Sequence, residues 1–116
     1  MPSTPRWTPE AEAKFLELKA AAAASLQNRQ KDKKAKATKA EGLFKQVDKC
    51  VTLLLQNPRH PSLQTHEFSS IPNPHDPSAK VFEAYAQNQT PGAYRVFWCY
   101  GPNRGEITLI AITPHP

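Results

Sequence analysis

No apolar run in the 116 residues approaches the roughly 20 needed for a helix to cross a bilayer. Residues Met1 to Thr8 also lack the cationic stretch and uninterrupted apolar block of a secretory signal. A soluble protein of the cytoplasm is therefore expected, with no membrane role. Cysteine is scarce, and Cys50 and Cys99 have no CxxC spacing. Each sits in an apolar pattern, so two buried free thiols are expected rather than a disulfide or a zinc site. No metal and no cofactor is expected. Disorder throughout is excluded by composition, since 39% of the residues are hydrophobic and 22% are charged. A chain of this length holds one core, so residues 1–116 are read as a single domain.

The second part of the chain lacks any excess charge. Residues 41–116 hold six Lys/Arg and six Asp/Glu, whereas residues 1–40 hold nine Lys/Arg against four Asp/Glu. The formal charge of +5 is thus entirely N-terminal. This distribution fits a polyanionic partner and equally fits a solvated, lysine-rich helical connection.

Thr8-Pro9-Glu10 combines a capping hydroxyl, a proline at the first helical position and an acid at the positive end of the dipole. A helix is predicted from Pro9, with Phe15, Leu18, Ala22 and Leu26 as its apolar stripe. Leu43, Phe44, Val47, Val51, Leu54 and Leu55 give a second helix, ended by Asn57-Pro58. The two form an antiparallel hairpin over residues 9–57 with a basic tip, where Gly42 marks either a break or a close contact.

After Pro58 the pattern changes to short segments of period two. Strands are predicted at 63–68, 80–86, 93–100 and 106–112, the last two central and joined by a turn at Gly101–Gly105. Residues 71–78 and 87–92 read as loops. The expected fold class is α+β: a helical hairpin packed on a four-stranded, mainly antiparallel sheet spanning 58–116. Such a sheet buries one face on the helices and leaves the other as a candidate site.

Three segments stand in an informative order: Asn57-Pro58-Arg59-His60-Pro61-Ser62-Leu63-Gln64-Thr65-His66, Ala93-Tyr94-Arg95-Val96-Phe97-Trp98, and Ile112-Thr113-Pro114-His115-Pro116. With the helical hairpin before them, they resemble the RelE/ParE toxin superfamily over roughly residues 43–116. The resemblance implies either a RelE-like endoribonuclease that cuts messenger RNA on the ribosome or a ParE-like toxin directed at DNA gyrase. It also implies a small antitoxin protein as partner. Two departures stand out. The strand that usually precedes helix one would have to fit in Met1 to Trp7, which contains two prolines, and would be short or absent. The tyrosine that many active relatives carry beyond the position of His115 is missing.

Metal-independent RNA cleavage needs a base for the 2′-hydroxyl, a cation for the phosphorane and an acid for the leaving 5′-oxygen. The candidate catalytic set is Arg95, His115, His66 and Glu67. Arg95 interrupts an apolar strand, where a charge is costly unless used, exposed or paired with Glu83 on the neighbouring strand. His115 follows the last strand, where the resemblance implies an acid or a phosphate ligand. His66 and Glu67 are alternative general bases, or simply solvent-facing. Candidate RNA contacts are Arg59, Lys33, Lys34, Lys36 and Tyr85, the last as a stacking ring. Their bland alternatives are a cation at a helix C-terminus, a solvated lysine face and core packing, the last also expected of Trp98. Ribosome and messenger RNA are the partners of the nuclease reading. An inactive relative and a general nucleic-acid-binding module stand beside it.

Overall fold

The computed structural model describes residues 2–32, 35–87 and 92–114. In chain order it contains β1 (Thr4–Trp7), α1 (Pro9–Gln30), α2 (Lys39–Gln56), a short 3-10 helix (Pro61–Leu63), β2 (His66–Glu67), β3 (Phe82–Tyr85), β4 (Tyr94–Tyr100) and β5 (Glu106–Pro114). The fold is α+β, two helices packed on a mixed five-stranded sheet of order β1-β5-β4-β3-β2.

The expected four strands become five because Thr4–Trp7 pairs in parallel with Glu106–Leu109. Pro5 is tolerated there since an edge strand leaves one side of its backbone unpaired, so a missing N–H costs nothing on that side. The predicted strand at 63–68 is the opposite correction. Pro61 starts a 3-10 turn and Gln64 takes a left-handed backbone with φ 48°. Only His66 and Glu67 remain to pair with β3. The remaining ladders are antiparallel, with β4 and β5 interior.

α1 starts where expected. The Thr8 hydroxyl accepts from the Ala11 amide at 3.1 Å and donates to the Ile110 carbonyl at 2.6 Å, tying the helix start to β5. Ala11, Leu18 and Ala22 are buried, and Phe15 lies between Trp7 and Phe44 with ring centroids 5.1 and 5.4 Å away. Phe15 and Phe44 stay half-buried at the edge of the core, and Leu26, expected in the apolar stripe, is exposed. α2 begins at Lys39 with a capping box: Thr38 caps the Glu41 amide while Glu41 reaches back to Thr38. Gly42 lies within α2 and breaks nothing. The Glu41 carboxylate also accepts from Arg29 Nε at 2.8 Å and from Ser25 at 2.9 Å, so the far ends of both helices are clasped.

One face of the sheet, with Ala84, Val96, Trp98, Ile107, Leu109 and Ile112, packs under Val47, Cys50, Val51 and Leu54 of α2. The other face is not the open surface that alternation suggested. Phe68 and Ile71 pack on Val81, Phe97, Cys99 and Ile110, so the proline-rich segment after β2 covers it. Asn73, buried within that segment, accepts from the amides of His75 and Asp76 and donates to the Lys80 carbonyl. His75 Nε2 lies 2.7 Å from the Thr108 hydroxyl on β5.

β5 serves both faces because of a bulge. Phe97 pairs with Ala111 and Trp98 with Leu109, leaving Ile110 as the extra residue. The side-chain phase is thereby reset, so Leu109 and Ile112 both face the helices while Ile110 and Ala111 face the covering segment. Among the described residues, no helix is long and apolar enough to cross a membrane.

Candidate functional site

A charged cluster is built into the covered face at the β2 edge. Register puts His66 opposite Glu83 and Tyr85 opposite Arg95, and Glu83 and Tyr85 lie two residues apart on β3. All four side chains therefore share one face. Glu83 is fully buried, and its Oε1 lies 2.9 Å from His66 Nε2 and 4.0 Å from Arg95 Nε. Arg95 is 2% exposed. Its guanidinium sits 4.0 Å above the Tyr85 ring, and Nη1 donates to the carbonyls of Ala93 at 3.0 Å and Tyr94 at 3.2 Å. The His66 ring meets Tyr85 edge-on with centroids 5.5 Å apart.

The exposed end of this cluster is His66, whose side chain is 45% accessible. Nε2 faces a carboxylate and Nδ1 faces the Gln64 carbonyl at 3.3 Å, long for such a bond. Carboxylate and carbonyl oxygens only accept, so both nitrogens of the ring face acceptors. That pose suits proton donation or anion binding better than proton abstraction. The carboxylate behind the ring fixes its orientation, as acids placed behind functional imidazoles do.

Arg95 departs most from expectation. Reading it as a phosphate ligand required an accessible side chain, whereas the guanidinium is enclosed by Glu83, Tyr85 and backbone carbonyls. Glu67 points to the opposite side of β2 from His66 and pairs with Lys80 at 2.9 Å, so the two neighbours in sequence do not form one site. Tyr85 is half-buried under Arg95, with its ring face occupied. Arg59 is exposed after the end of α2, and Lys36 is exposed in the connection between the helices, far in sequence from the cluster. Lys33, Lys34 and His115 lie outside the described residues. Trp98 is in the core, stacked on Phe82 with centroids 4.8 Å apart.

Glu83 is the residue that sequence reasoning undervalued, admitting it only as a neutralising partner for Arg95. A carboxylate inside the apolar pattern Val81 to Ala86 carries the same signal that singled out Arg95. Both cysteines are buried and free. Burial pushes the Cys50 thiol up to about 12. It also raises Cys99, against which a hydrogen bond with Thr108 acts. Among the described residues, no group of three His, Cys, Asp or Glu side chains is arranged to hold a metal ion.

Comparison of the chain with protein-family models, with curated proteins and with solved structures gives no match.

Proposed function

We propose that this chain is a RelE/ParE-type toxin acting as an endoribonuclease on messenger RNA at the ribosome, with His66 as its proton-transfer group. The observation that carries this reading is a fully buried carboxylate, Glu83, holding the imidazole of an exposed histidine at 2.9 Å. A buried charge far from solvent is expensive, and one that orients a solvent-facing titratable ring is the arrangement that functional sites use. The mixed sheet adds support, because the strand that the superfamily usually carries before helix one is present as Thr4–Trp7.

In this scheme His66 protonates the leaving 5′-oxygen as the 2′-oxygen attacks phosphorus, and the 2′-hydroxyl proton passes to solvent. Arg95 stands 4.0 Å from Glu83 as its counter-ion instead of gripping the phosphate. His115 keeps the phosphate-binding role that the resemblance implies. A small antitoxin is the partner, and the cytoplasm the compartment.

The test is expression without any antitoxin. Wild-type protein should arrest growth and cut messenger RNA on translating ribosomes. His66→Ala should lower cleavage roughly 10²-fold or more, the usual contribution of a proton-transfer group. Wild-type protein that neither slows growth nor cuts RNA sinks this reading. A second reading, the gyrase-directed toxin, is favoured by the enclosure of Arg95, which leaves the central strand without an accessible guanidinium. Growth arrest with intact RNA and blocked DNA supercoiling would select it.

A further inference from the structure

A second concavity lies at the end of α2, on the helix-facing side of the sheet. Phe82, Trp98 and Tyr100 form its aromatic wall, Arg59, His60 and Thr65 line the rest with their neighbours, and its volume is about 460 Å³. That is within the usual range of small-ligand sites, about 300–1,000 Å³. The aromatic wall is preorganised. Phe82 stacks on Trp98, and Tyr100 meets both rings edge-on with centroids 5.8 and 5.0 Å away. Tyr100 remains 52% exposed, a large ring held in water by a rigid strand.

Three of the polar groups around this wall are donors. His60 Nδ1 accepts from the Ser62 amide at 3.1 Å, which puts the hydrogen of the neutral ring on Nε2. Arg59 is exposed and donates only. The Trp98 indole N–H, in a residue 1% exposed, has no acceptor among the described residues. A buried donor left so is costly, and it marks a place where an acceptor is wanted. Among the described residues, no carboxylate lines the pocket.

We propose that this pocket binds one nucleotide of a single-stranded RNA, its base on the Tyr100 side of the aromatic wall and its phosphate on Arg59. A nucleobase is the ligand that offers both a flat face for stacking and carbonyl or ring-nitrogen acceptors on its edge, next to an anion. An acidic peptide supplies the anion without the acceptor-bearing ring. This inference rests on the reading of the chain as RNA-directed, and it extends that reading in space. Thr65 lines the pocket and His66 belongs to the charged cluster, so consecutive residues link the two. β2 is the sheet edge and only two residues long. A strand seated in the pocket therefore passes round that edge and presents its neighbouring phosphodiester to His66.

The experiment follows the indole N–H signals of tryptophan-labelled protein by nuclear magnetic resonance, with Trp7→Phe used to assign Trp98. The probes are nucleoside 5′-monophosphates and a 2′-O-methyl RNA hexamer that cannot be cleaved. Both should shift the Trp98 signal and leave Trp7 in place. Tyr100→Ala and Arg59→Ala, both at exposed positions, should keep the dispersed spectrum and each weaken hexamer binding roughly tenfold. Arg59→Ala should also flatten the salt dependence of binding. The proposal is overturned if neither probe moves the Trp98 signal, or if both variants bind the hexamer as wild type does. It is overturned equally if mononucleotides bind and the hexamer does not, or if an acidic aromatic peptide binds and both nucleotide probes fail. Because the hexamer is inert, the outcomes separate from those of the nuclease test. Hexamer binding without cleavage of any messenger RNA keeps the pocket and removes the nuclease. Cleavage with an unmoved Trp98 signal does the reverse.

Discussion

Glu83 and His66 face each other across the β2–β3 ladder at 2.9 Å, one wholly enclosed and the other almost half in water. Arg95 stands behind the pair, and its removal leaves a buried carboxylate without its enclosed cation. Arg95→Ala should therefore cost about 3–5 kcal/mol of stability in urea denaturation, the penalty for breaking a buried ion pair. Of the alternatives the sequence left open for Arg95, this outcome follows from pairing with Glu83 and not from a phosphate contact on an accessible face. His66→Ala should cost much less, because its partner keeps the arginine. Equal effects of the two substitutions would refute the enclosed arrangement.

Cys50 and Cys99 are buried thiols raised by desolvation. Thiol reagents should therefore label neither in the native protein at neutral pH and both after denaturation. The pH dependence has a definite sign. The unfolded thiol ionises near its ordinary pKa of about 8.5, while folded Cys50 stays protonated up to about 12. Across that window the unfolded state binds fewer protons, so stability falls as pH rises, by about 1.4 kcal/mol per pH unit from this group. Urea midpoints that stay constant between these limits would contradict the buried placement.

The clasp between the helix ends can be tested in acid. Burial raises the Glu41 carboxyl, but hydrogen bonds from Arg29, Ser25 and the Thr38 amide together outweigh it and hold the pKa below the usual carboxylate value. A depressed carboxylate contributes stability above its unfolded pKa and loses it as pH falls through the folded one. Amide exchange at the distal ends of α1 and α2 should thus accelerate in acid before that of β4. Thr38→Ala, which removes the cap, should cost about 1 kcal/mol at neutral pH.

Asn73 uses both atoms of its side-chain amide to shape the covering segment. Asn73→Ala should lower stability by about 2 kcal/mol, summing the net worth of the lost hydrogen bonds. It should also raise amide exchange in Phe68–Ala79 ahead of the sheet. Unchanged exchange there would show that the Phe68 ring and the Ile71 side chain hold the segment alone.

Local chemistry was legible in the sequence. Thr8-Pro9 did start α1, Asn57-Pro58 did follow the end of α2, and β4 and β5 are interior as their β-branched and aromatic content implied. Long-range choices were not. Pro5 argued against a strand, yet pairing depends on which edge of the sheet a segment reaches, and Thr4–Trp7 reaches an open one. Alternation in β4 sets Arg95, Phe97 and Cys99 on the face opposite Val96 and Trp98. It could not reveal that Phe68 and Ile71 would return to cover that face, because nothing in a strand's own residues records what packs on it. For the same reason the sequence could nominate Arg95 but not its enclosure, and it left Glu83 as a counter-ion when it is the centre of the cluster.

The bulge at Ile110 sets how the two parts of the chain tolerate changes in length. Deleting a residue of β5 away from the bulge would shift one part of the strand by a single position and send large aliphatic groups to the wrong layer, however conservative the remaining side chains. The segment between β2 and β3 is anchored by Phe68, Ile71 and Asn73, with no ladder to keep in step. Insertions among variants of this protein should therefore gather there, while β5 keeps its residue count even as its side chains drift.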